Sequence, residues 1–250
     1  MPFQYKVHRQ RLITVRNIGY LFARTGAALA EGQALAAWPA DTDPSEAVAF
    51  LANGGQAGPQ RRILRAATYT INTAQFVVLT EDGAHQIALG DDDKVGALHA
   101  LITARHGYDP VVIDSDRIAV VTVQDGPALE HGEIIAPTVR TDARDGAALH
   151  NSFQDIPHFL AAGGRRGQQE QVLVEGTYYI NRLFATTELR DKTQIGIGHV
   201  GVVISFTRPR GDDISGADYR HASSCSRASA AYGRCRCSPA STRSIRSRRM

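Results

Sequence analysis

The sequence predicts an α+β chain, mainly β: two related, duplicated small β-rich modules with short helices, followed by a disordered basic tail. Three observations predict it. Residues 50–72 (FLANGGQAGPQRRILRAATYTIN) recur as residues 159–181 (FLAAGGRRGQQEQVLVEGTYYIN), and residues 17–36 recur as 117–136. The longest uncharged apolar runs, FVVLT (76–80), VVI (111–113) and GVVISF (201–206), are strand-sized and far short of the roughly 20 residues needed to cross a bilayer. Glycine is frequent, with 23 residues, which suits a chain punctuated by turns.

The repeat organises the chain. Phe50/Phe159, Gly54/Gly163, Gly58/Gly167, Gln60/Gln169, Leu64/Leu173, Tyr69/Tyr178 and Asn72/Asn181 match at an offset of 109, and the upstream strings match at an offset of 100. Nine residues are therefore added inside the second unit. Duplicated strings of this length mean that one supersecondary unit was copied. The modules are read as residues 1–90 and 117–198, joined by a helix–strand linker over 91–116. A third unit is expected to start within 199–221, where HVGVVISF opens like the other two.

Each unit reads in the same order. IAVVTV (118–123) alternates as a strand, and QDGP then suits a tight turn. GEIIAP (132–137) begins a second short strand. A helix is predicted over Asp155–Ala162, with Asp155 as N-cap, Pro157 in the first turn and Gly163 past its end. The glycines of GGQAGPQRR and GGRRGQQ (Gly54, Gly55, Gly58, Gly163, Gly164, Gly167) are predicted to form a turn, with Gly163 and Gly164 at positive φ. That turn launches QVLVEGTYYI (171–180), read as a two-stranded hairpin joined at Glu175-Gly176 and carrying the repeated Tyr178 and Asn181. Between the modules, KVGALHALITARHG (94–107) has helical spacing and a terminal glycine, and DPVVI follows as a strand. A βαβ-like crossover from VVLTEDG to VVIDSDR is one arrangement of that linker.

Charge divides the chain at His221. The whole carries 28 basic and 25 acidic residues, a net +3. Residues 222–250 hold seven arginines, no acid and all three cysteines, so 21 basic and 25 acidic residues remain upstream, a net −4. The tail has one Ile and no Leu, Val or Phe, too little to bury a core. Its basic charge taken at face value suggests a nucleic-acid arm, but nucleic acid is not the expected partner. Ser, Arg, Ala, Cys and Pro without Lys, Asp or Glu is the composition of a GC-rich gene read out of frame. With GC-rich codons and one G restored after His221, the shifted frame spells GKLVLAGERGVWPVPLLPGKYAF. Sequencing the locus decides this hypothesis, since an intact frame sinks it. Cys225, Cys235 and Cys237 lack the paired spacing of a zinc site.

The string HNSFQDIPHFLAAGGRRGQQEQVLVEGTYYINRLFATTELRDKTQIGIGHVGVVISF (150–206) closely resembles bacterial flotillin-like proteins of the SPFH/band 7 family, and RPRGDDISGADYRH (208–221) is similar to the segment leading into that domain's main part. The resemblance covers about residues 10–221. It implies a non-enzymatic scaffold that associates with a membrane surface and with copies of itself. The chain is then the N-terminal fragment of such a scaffold, interrupted before the band 7 core. The implied location is membrane-associated, or cytoplasmic for a chain without a transmembrane segment. The first unit departs from the pattern, with RAATYTIN for EGTYYIN and no HNSFQD in the loop at 37–49.

The residues themselves suggest no enzyme. None of the nine histidines stands four residues from another in a metalloprotease pattern with glutamate. His150 and His158 flank Asp155, which reads as a helix cap rather than a catalytic acid. The acids at 81–82 and 91–93 lack calcium-loop spacing and read as a solvated turn before a helix. Neither glycine-rich segment is a phosphate loop. No cofactor, metal or small-molecule substrate is expected. Arg165 and Arg166 are the candidate contacts for lipid phosphate or an acidic partner. An isolated protein- or ligand-binding β module is the alternative to the scaffold.

Overall fold

A computed structural model of the chain describes residues 10–87, 92–139 and 149–200. The third unit from Gly201 onward and the Arg-rich tail lie outside the described residues. Strand dominates, as expected. In order the elements are β1 (Gln10–Ala23), α1 (Ala47–Ala52), β2 (Gly58–Asn72), β3 (Phe76–Thr80), β4 (Gly83–His85), α2 (Asp92–Ala104), β5 (Val111–Ile113), β6 (Arg117–Val123), α3 (Ile156–Ala161), β7 (Gly167–Leu173), β8 (Gly176–Tyr178) and β9 (Ala185–Asp191).

Among the described residues three antiparallel sheets result, ordered β2-β1-β3-β4, β7-β6-β9 and β5-β8. The duplication is carried into register. Ala23 faces Gly58 and Phe76 in the first unit, and Val123 faces Gly167 and Ala185 in the second. An irregularity follows Tyr20 in β1 and, at the matching place, Val120 in β6. Bulges set strand twist, so both copies bend alike.

Three expectations are corrected. GEIIAP makes no strand: Ala136 forms a single bridge to Gln169, and Pro137 has no N–H with which to extend it. QVLVEGTYYI is not a hairpin. β7 pairs with β6 while β8 pairs with β5, so the two pieces are one interrupted strand, the counterpart of unbroken β2. The linker is not a βαβ crossover, because β5 lies antiparallel on β8 rather than beside β3. Since Tyr69 faces Ile13 and Tyr178 faces Val111, β5 and β6 together take the place of β1. The strand breaks where Asp114, Ser115 and Asp116 intervene.

The helix predictions hold. Asp155 caps α3, its Oδ1 accepting from the His158 N–H at 3.2 Å, with Pro157 in the first turn. At the end of α2 the positive φ falls on His106 (49°), not on Gly107. Gly107 is small for another reason: a Cβ there would meet the Tyr20 hydroxyl at 2.8 Å and Ile102 at 2.5 Å.

Two clusters of apolar residues form the interior. One is private to the first unit: Ile13, Val15, Leu21, Ala23, Phe50, Leu64, Ile71, Phe76 and Val78, with Trp38 against it. The other joins both units and the linker. It takes Ile18, Tyr20, Val77 and Leu79 from β1 and β3, Val95 and Ile102 from α2, and Val121, Phe159 and Phe184 from the second unit. Strand alternation explains the division, since odd and even positions of β1 and β3 face opposite clusters.

Tyr20 is the rivet between these parts. Its hydroxyl donates to the Gly107 carbonyl at 2.7 Å and accepts from the Arg182 N–H at 3.2 Å. Its ring meets Tyr108 edge-on at 5.9 Å. Burial pushes the Tyr20 phenol from its usual 10.0 to about 12. The fold thus favours neutral tyrosine, and this contribution is complete below about pH 10 and lost as pH rises toward about 12, worth about 3 kcal/mol. Urea unfolding at about pH 8 and about pH 12 should show a fall that is shallower in Tyr20→Phe. An equal fall in both proteins would contradict it.

Candidate functional site

The residues that match between the copies build the modules. Gly55 and Gly164 donate their N–H to the carbonyls of Phe50 and Phe159. Gln60 Nε2 donates to the carbonyls of Gln56 and Gly58, and Gln169 Nε2 to those of Arg165 and Gly167. The Tyr69 and Tyr178 hydroxyls donate to the carbonyls of Arg65 and Val174. Asn72 and Asn181 each accept a backbone N–H two residues on, from Ala74 and Leu183. Gly54 and Gly163 carry the left-handed φ values, 76° and 82°. Gly164 does not, contrary to expectation. It and Gly55 are small because a Cβ would press closer than 3.0 Å on the rings of Phe159 and Phe50. The repeated set is structural.

Positions that differ between the copies join them. Asp125 and Arg61 correspond to Thr25 and Glu170 in the other copy. Asp125 has a fully buried carboxylate that accepts from Arg61 Nη2 at 3.1 Å and from the N–H groups of Ala34 (2.8 Å) and Gly126 (3.0 Å). One matched residue joins them as well: Asn181 Nδ2 reaches across to the carbonyls of Gln60 and Arg61, both at 3.1 Å. The sequence gives QDGP as a turn, and periodicity holds no sign that its aspartate is an inter-module anchor.

A cleft of about 480 Å³ opens on this joint. β2 contributes Arg61, Arg62 and Arg65; the first-unit loop contributes Trp38 and Asp41; the second unit contributes Asn151, Gln154, Asp155, Tyr179 and Asn181. The Arg62 guanidinium lies 5.3 Å over the Trp38 ring and that of Arg65 lies 4.7 Å over Tyr179. Among the described residues each donates one hydrogen bond to protein: Arg62 Nη1 to the Thr42 carbonyl at 3.1 Å, and Arg65 Nη2 to Gln154 Oε1 at 3.3 Å. Among the described residues neither is in an ion pair. Asp155, by contrast, is held by His158 Nδ1 at 2.7 Å.

One cleft wall is an unusual turn. Asn151, Ser152 and Phe153 have φ of 46°, 54° and 67°, three successive non-glycine residues in the left-handed region, where each costs about 1–2 kcal/mol. The turn stands because His150 Nδ1 accepts the Phe153 N–H at 2.8 Å and the Phe153 ring is buried against Phe159. Burial lowers the pKa of His150, favouring the neutral ring that this acceptance requires. Gln154 then fixes the cleft, accepting from the Tyr179 N–H at 3.0 Å as well as from Arg65.

The predicted anion contacts fare differently. Arg165 is engaged by Glu130 and Glu133, so its charge is matched inside the chain. Arg166 lies apart from the arginine cleft and lines a separate hollow together with Glu31, Asp125 and Leu160. Among the described residues no group of three His, Cys, Asp or Glu side chains could hold a metal. No described helix is long and apolar enough to cross a membrane. No protein-family model, curated protein or solved structure matches the chain.

Proposed function

We propose that this chain is a non-enzymatic scaffold of the flotillin-like SPFH/band 7 kind that its sequence resembles, acting at a membrane surface through association of copies. The observation that carries this reading is where the duplicated residues go. Gly55/Gly164, Gln60/Gln169 and Tyr69/Tyr178 are all taken up by backbone hydrogen bonds or ring packing, so what was copied is a shape. Tandem modules of one shape offer repeated sheet edges, and an edge strand with unpaired N–H and C=O groups is a template for a neighbouring chain. Among the described residues β9 is such an edge, paired on one side with β6 and exposing Leu189.

Sedimentation of the full chain with phosphatidylcholine–phosphatidylglycerol vesicles, alongside native mass spectrometry, tests this. The expected result is co-sedimentation and oligomers. A monomer that stays in the supernatant sinks the scaffold. The second reading, a ligand-binding β module, is favoured by one specific observation, the arginine-lined cleft.

A further inference from the structure

We infer that the cleft between the modules binds a phosphate-bearing ligand through Arg62 and Arg65. Arginine's planar fork suits phosphate oxygens, and of its five N–H donors each of these residues uses one on the protein among the described residues. Stacking on Trp38 and Tyr179 holds both guanidinium planes in place, which lowers the ordering cost when a ligand arrives. Phosphate suits the site better than a single carboxylate because two separate forks are presented and phosphate offers more acceptor oxygens and charge.

The remaining polar groups leave these two as the grip. Arg61 belongs to Asp125, and the Asn181 amide belongs to the carbonyls of Gln60 and Arg61. Asp155 is turned to His158, and Asp41 stands exposed at the rim. The volume of about 480 Å³ admits a phosphate ester with an organic group attached. The wall is the left-handed turn at Asn151–Phe153, and backbone strain of this kind persists where surrounding structure holds it, often at ligand clamps. That turn belongs to the HNSFQD segment, which the first unit lacks. Among the described residues the cleft therefore occurs in the second unit's form only.

This inference stands apart from the scaffold reading, because a soluble phosphate ester serves as the probe. Trp38 is the only tryptophan and lies under Arg62, so its emission reports occupancy. Full-length chain would be titrated with glycerol 2-phosphate, with phosphatidylcholine vesicles, and with the same vesicles containing phosphatidate. A saturable change with the soluble ester identifies a free phosphate ester as ligand. A change with phosphatidate vesicles alone identifies a headgroup. Arg62→Gln and Arg65→Gln should each weaken binding about tenfold, with circular dichroism confirming the fold. Both arginines are exposed, so either variant keeps the fold, and Arg65→Gln alone suffices as the test. Arg16→Gln, whose arginine pairs with Asp82 instead, should bind normally. No saturable response to any probe, or equal weakening by Arg16→Gln, overturns the inference.

Discussion

Replacing Asp125 with alanine is expected to destabilise the chain by about 3–5 kcal/mol, the usual cost of removing one partner from a buried ion pair. The carboxylate is fully buried and Arg61's side chain is 17% exposed, so the arginine keeps its charge with little water to receive it. The N–H groups of Ala34 and Gly126 lose their acceptor at the same time. Removing both charges should behave differently. Asp125→Leu with Arg61→Met leaves no orphaned ion, and apolar replacement of a whole buried pair is often near neutral. Urea unfolding of the single and double variants separates the cases. An Asp125→Ala loss under about 1 kcal/mol would place the joint's strength elsewhere.

Gly164→Ala is expected to cost about 3 kcal/mol, and Gly163→Ala, one residue earlier, about 1 kcal/mol. Gly163 has the left-handed φ of 82° but open space where a Cβ would stand. Gly164 has an ordinary φ, yet a Cβ would strike the fully buried ring of Phe159. That ring is wedged between Phe153 and Phe184, at 5.5 and 5.6 Å, and close-packed interiors resist such overfilling. The first unit supplies an internal replicate, with Gly55→Ala costing more than Gly54→Ala for the same reasons. Thermal unfolding of the four variants decides it; the reverse ranking in either unit would contradict packing as the cause.

How much of this could be read in the sequence follows a physical line. Local and repeated features were legible: the two-module β architecture, α3 with its Asp155 cap and Pro157, and α2 with its stop near Gly107. Pairing partners were not. QVLVEGTYYI has the look of a hairpin because Glu175-Gly176 is good turn chemistry, and only the break between β5 and β6 shows that the strand runs on to a second partner. Glycines at 54–55 and 163–164 look alike in sequence, although one of each pair serves φ and the other serves a neighbouring ring. Arg165 looks free in GGRRGQQ, while Glu130 and Glu133, some 30 residues away, meet it only in the fold. The arginine cleft was invisible for the same reason. Arg62 and Arg65 sit in a strand whose periodicity says nothing of Tyr179 or Gln154. A signal did exist: HNSFQD is found in one copy only, and an insertion into one of two duplicates is where their roles can part.

The joint that ties the loop after β1 to the loop before β2 holds a different lesson. In the first unit it is closed by amides, Gln33 and Gln56 bonding each other at 2.7 and 3.3 Å. At the matching positions of the second unit it is closed by charges, Glu133 with Arg165. The two copies are thus two corners of a double-mutant cycle carried within one polypeptide, and the missing corners, Gln with Arg or Glu with Gln, still form a hydrogen bond. Divergence could pass through either corner without opening the joint, so an ancestor with identical copies had a continuous route to the present pair.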